Sequence, residues 1–100
     1  MGMEKTIPLH GAAPAWAKIK AAAESAGLTL TLRMIDGLPA FPDEVPEDGW
    51  NELRISGAAG MMTLRQSPDA LSVVVWGNAD PALQREWEIL ATACESSIVY

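Results

Sequence analysis

Between residues 12 and 26 apolar side chains recur at helical spacing. Ala12, Ala15, Trp16, Ile19, Ala22, Ala23 and Ala26 share one arc, with Lys18, Lys20, Glu24 and Ser25 outside it. The spacing predicts a helix, with Pro14 suited to its first turn and Gly27 to its C-terminal cap. The period then falls to two, because Leu28, Leu30, Leu32 and Met34 alternate with Thr29, Thr31, Arg33 and Ile35, as in a strand with one core face. Residues 36–49 contain Pro39, Pro42 and Pro46 among Asp43, Glu44, Glu47 and Asp48, a composition that predicts a long acidic surface loop.

Three short runs follow, at residues 50–56, 61–66 and 71–76, separated by turn-like segments at 57–60 and 67–70. They predict an antiparallel meander. With both connections as hairpin loops, Leu53, Leu64 and Val73 form one apolar layer, and Ile55, Met62 and Val75 form the next. The opposite parity places Ser56, Met61 and Trp76, then Arg54, Thr63 and Val74, then Glu52, Arg65 and Ser72, on the other face. Asp80 followed by Pro81 is a helix start, and Leu83, Trp87, Leu90 and Cys94 make that helix's apolar stripe, ending near Ser96.

The expected order is α-β-β-β-β-α. The expected fold class is α+β: a two-layer, four-stranded, mostly antiparallel sheet with two helices packed on one face. Residues 1–11 lack periodicity and are expected to be a flexible N-terminal segment, residues 12–97 a single α+β domain, and residues 98–100 a C-terminal tail. The simplest strand order is sequential, but Val73, Val74 and Val75 make the last strand apolar on both faces, which suits a central or interface position and makes the first strand a candidate neighbour.

Composition narrows the function classes. A chain of 100 residues with 49% hydrophobic and 20% charged side chains fits one folded domain. So small a domain gains stability by pairing with a second copy. The formal charge of −6 disfavours nucleic acid and anionic membranes as partners. Cys94 is the single cysteine, so no intramolecular disulfide forms, and a reducing, cytoplasmic setting is the expectation. No apolar run approaches the roughly 20 residues of a membrane-spanning helix.

No catalytic motif is legible. His10 is the single histidine and reads as an ordinary exposed side chain, while Cys94 sits on a helix's apolar stripe near the dipole end that disfavours a thiolate. Neither residue has the companions of a zinc site, and the acidic loop lacks the ligand alternation of a calcium loop, so no metal or cofactor is expected. Gly57, Ala58, Ala59 and Gly60 join two strands, which makes them a hairpin turn rather than a phosphate loop. Trp16 and Trp87 lie on helix stripes and read as core.

The most informative feature is the face that no predicted helix covers. Arg33, Trp50, Arg54, Arg65, Val74 and Trp76 are its candidate partner-binding or ligand-binding residues, flanked by Met61 and Ile35. Tryptophan and arginine are enriched at interface hot spots. The expected function is therefore a non-catalytic protein-interaction domain, with a homodimer among its candidate assemblies. An alternative is a small-molecule or anion binder using Arg33, Arg54 and Arg65 beside an indole. A remoter one is a carboxylate enzyme built around Asp36 and Glu52. A plainer reading of the same face is that it has no partner: Glu52 facing Arg65 neutralises one guanidinium, and the acidic loop folded over the face pairs with the others.

Overall fold

The second helix begins where Asp80 and Pro81 set it. The Asp80 carboxylate accepts the Leu83 N–H at 2.9 Å, and Pro81 occupies the first helical position, where no amide hydrogen is needed. The first helix has no side-chain cap at Ala15 and begins at Trp16, later than its periodicity suggests. Its C-terminus closes firmly: Gly27 adopts φ +92°, its N–H donates to the Glu24 carbonyl, and the Leu28 N–H donates to that of Ala23, both at 3.0 Å.

The computed structural model describes residues 2–47, 49–77 and 79–98. In chain order the elements are β1 (Met3–Pro8), α1 (Trp16–Ser25), β2 (Thr31–Ile35), β3 (Leu38–Pro39), β4 (Glu52–Ser56), β5 (Met61–Ser67), β6 (Ala70–Val75) and α2 (Pro81–Ser97). The fold is α+β with two helices packed on an antiparallel sheet, but the sheet has six strands in the order β1-β6-β5-β4-β2-β3, not four.

Both additional strands lie where the periodicity is uninformative. β1 comes from the segment expected to be flexible, and it pairs with β6 from Met3 opposite Val75 to Pro8 opposite Ala70. Ile7 is its one buried residue, so an edge strand held by backbone bonds leaves no alternation to read. β3 comes from the acidic loop. Asp36 at φ 51° and Gly37 at φ 84° make a two-residue turn that folds Leu38 and Pro39 back onto β2. Asp-Gly was the signal for this hairpin, and the neighbouring prolines obscured it.

The four expected strands follow the sequential order, with β2 beside β4 and not beside β6, and the second neighbour of β6 is the added β1, which explains three consecutive valines. The meander register follows the hairpin reasoning: Leu53 lies opposite Leu64 and Leu64 opposite Val73, with Ile55 opposite Met62. β2 departs from strict alternation. Leu32 pairs with Ile55 and Met34 with Arg54, so Arg33 is an extra residue, a bulge that reverses the parity beyond it. Ile35, expected on the open face, instead pairs with Leu53 and packs against the core, while Met34 takes the outer side.

Leu53, Ile55, Met62, Leu64, Leu71 and Val73 are fully shielded from water on the inner face. Above them α1 packs on α2, and α2 on β6. Trp16 is buried as expected, but Trp87 is only half-buried and donates its indole N–H to the Val73 carbonyl at 3.0 Å. Ile98, the first residue of the expected tail, is buried, and the other two lie outside the described residues. Among the described residues no helix is long and apolar enough to cross a membrane.

Docking of β1 is directly measurable. Ile7→Ala removes a buried side chain from the strand that completes β6 and is expected to destabilise the domain by roughly 2–4 kcal/mol in urea unfolding. A change of a few tenths would show that residues 3–8 are not part of the folded sheet.

Candidate functional site

Strand parity determines which side chains reach the helix-free face. Glu52 is the hub of its polar part: the carboxylate accepts from Arg54 Nε and Arg65 Nε, each at 3.1 Å. Desolvation alone would raise the Glu52 carboxyl. The hydrogen bonds from Arg54 and Arg65, together with their charges, outweigh it and hold the group below its ordinary 4.5. Two of the three candidate arginines are thus already paired within the chain. Arg33, presented by the bulge, donates from Nε to Ser56 Oγ at 3.0 Å and stays exposed.

Trp76 lies one residue beyond β6, opposite Met61 in the continued register, and its side chain is fixed on two sides. The indole N–H donates to Thr63 Oγ1 at 3.1 Å, and the Arg65 guanidinium carbon lies 4.9 Å from the ring centroid, within cation–π range. Thr63 is buried although it faces away from the helices. The indole still leaves 57% of Trp76 exposed, beside Met61 at 47%. This is a large apolar group in contact with water and held in one orientation.

Two expected members of the face do not present themselves. Trp50 is 3% exposed and belongs to the core. It precedes β4, and the chain turns there: the Trp50 N–H donates to the Glu47 carbonyl, and Asp36 Oδ1 accepts the N–H groups of Asn51 and Glu52 at 2.7 and 2.8 Å. Alternation counted backwards from β4 therefore fails at residue 50. Val74 has the expected parity, but it is 4% exposed, lying between Glu4 of β1 and Thr63 of β5. Arg33, Arg54, Arg65 and Trp76 remain on the surface with Met61, beside Glu52 and Glu4.

The carboxylates weighed for catalysis already serve as acceptors within the fold. Asp36 binds two backbone amides and Glu52 two guanidiniums. A third carboxylate, Glu86, accepts the Ala58 and Ala59 N–H groups at 3.1 and 2.9 Å, so the glycine-flanked turn between β4 and β5 grips a side chain of α2. A Cβ on Gly57 would come within 2.4 Å of that carboxylate, so a side chain there would require Glu86 to shift. Cys94 is buried, and burial, with Glu95 adding to it, pushes its thiol up to about 12. Among the described residues no three His, Cys, Asp or Glu side chains converge as a metal site requires.

Concavities add little chemistry. A depression of about 350 Å³ beside the indole is lined by Glu4, Arg65, Val74 and Trp76, and the Arg65 guanidinium there is already bound to Glu52. A groove of about 660 Å³ runs between α1 and α2, lined by Ala22, Ala26, Ile89 and Ala93, away from every sequence-predicted site residue.

Two outcomes follow from these electrostatics. Glu52 titrates lower folded than unfolded, so its contribution is fully present above the unfolded value and is lost as pH falls through the folded one. Glu52→Gln is expected to cost up to about 1 kcal/mol in urea unfolding at neutral pH, with the gap to wild type closing in acid. A gap unchanged at low pH would show that the carboxylate charge is not what binds the arginines. For Cys94, a rise from 9.0 to about 12 predicts about a thousand-fold slower reaction with a thiol-specific disulfide reagent when folded than in denaturant. Equal rates would place the thiol at the surface.

Compared with protein-family models, with curated proteins and with solved structures, the chain matches none.

Proposed function

We propose that this chain is a non-catalytic interaction domain that docks through the helix-free face of its sheet, and that the occupant is a second copy of the chain. The observation that carries this reading is Trp76: more than half exposed, yet fixed by Thr63 and Arg65 beside the exposed Met61. An exposed indole already held in one rotamer loses little conformational freedom on docking, and such side chains supply a large share of interface energy. The pairing of Arg54 and Arg65 with Glu52 favours a broad polar and apolar contact over an anion pocket, because Glu52 engages both guanidiniums and offsets one of their two charges. Domain size points the same way, since burying one sheet face offsets the limited core of a 100-residue chain.

Sedimentation velocity over a concentration series tests the proposal. Wild type is expected to shift from monomer to dimer with increasing concentration, and Trp76→Ala to weaken that equilibrium by about 30-fold, the equivalent of a 2 kcal/mol hot spot. A wild-type chain that stays monomeric at every concentration it tolerates would overturn the reading. So would an unchanged dimer in Trp76→Ala.

A further inference from the structure

The register across the sheet places two unpaired charges in one layer. Glu4 of β1 lies opposite Val74, Val74 opposite Thr63, Thr63 opposite Arg54, and Arg54 opposite Met34, beside which the bulge presents Arg33. Glu4 and Arg33 thus stand at the same height along the strands but on opposite flanks of the sheet. Both are exposed, and among the described residues neither takes part in an ion pair. Both belong to the helix-free side: Glu4 shares the parity of Val74, and Arg33 reaches Ser56, which alternates with Arg54 on that face.

A twofold axis that lies in the face and runs along the strands exchanges the two flanks and preserves height. Placed between β4 and β5, the midline of the sheet order, it carries β1 of one copy over the β2 side of the other. Glu4 is then displaced from the facing Arg33 by one strand spacing, about 4.8 Å, which an arginine side chain spans. The same rotation carries Phe41 toward the other copy's Trp76. The Ala40 N–H donates to the Arg33 carbonyl, so Phe41 continues toward the Thr31 end of β2, and Trp76 lies near that level through Met61, Ser56 and Thr31. Phe41 is 74% exposed, so both ends of this contact are apolar groups facing water.

We infer that two copies pair face to face about a twofold axis running along the strands between β4 and β5, with each Arg33 set against the partner's Glu4. This arrangement rests on the self-association proposed above and specifies its geometry. Glu4 and Arg33 each find a complement at both symmetry-related contacts, which fixes register and excludes the antiparallel alternative, where the flanks would not exchange.

Charge reversal tests the arrangement with exposed residues that the fold does not need. Arg33→Glu sets two carboxylates together at both symmetry-related contacts, and Glu4→Arg does the same with two guanidiniums. Each variant alone is expected to dimerise at least 10-fold more weakly than wild type in sedimentation, while its far-UV circular dichroism spectrum stays that of the folded wild-type chain. An equimolar mixture of the two restores complementarity at both contacts, and so does the double variant Arg33→Glu/Glu4→Arg. Both are expected to return to within a few-fold of the wild-type dissociation constant. A wild-type monomer would remove the proposed function itself. A wild-type dimer that neither single variant weakens, or single variants that mixing fails to rescue, would overturn this twofold arrangement and leave self-association standing.

Discussion

The shielded inner layer of β4, β5 and β6 is the constraint on which the other elements depend. Leu53, Leu64 and Val73 stack across it, and Ile55 opposite Met62 extends the stack by one row. A shift of one residue in any of these strands would turn its whole apolar set toward solvent. That penalty fixes the register, and the register decides the rest. α1 and α2 must cover the apolar side, and whatever alternates with it must face away from them.

Three carboxylates show how the acidic chain uses part of its charge to hold this arrangement. Asp36 secures the entry to β4, Glu86 ties α2 to the turn between β4 and β5, and Glu52 joins two arginines across adjacent strands. Lys5 and Glu95 add an ion pair between β1 and α2. Carboxylates engaged in this way are structural acceptors, which accounts for acidic side chains near the sheet without invoking acid–base chemistry. The helix-free face is consequently ordered at its polar end and apolar at the row of Met61 and Trp76.

Much of this was legible in the sequence for a definite reason: in a sheet with one buried face, apolar period and hairpin length together leave one register. The pairing of Glu52 with Arg65 and the outward direction of Arg54 and Trp76 follow from it, while the cap at Asp80 follows from its own local Asp-Pro signal. Trp50, Val74 and Ile35 did not follow, each for a local reason. A turn held by Asp36 redirects Trp50, β1 and β5 enclose Val74, and the bulge at Arg33 turns Ile35 inward.

By itself, then, the sequence determined the helices, the meander and its parity, because burial imposes periods of 3.6 and 2 on side chains. Only the tertiary structure decided which strand borders β6 on the side away from β5, that residues 3–8 belong to the sheet, and which charges on the helix-free face remain unpaired. Those outcomes depend on backbone hydrogen bonds and on contacts between residues far apart in the chain. Neither leaves a periodic trace in the amino acids that make them.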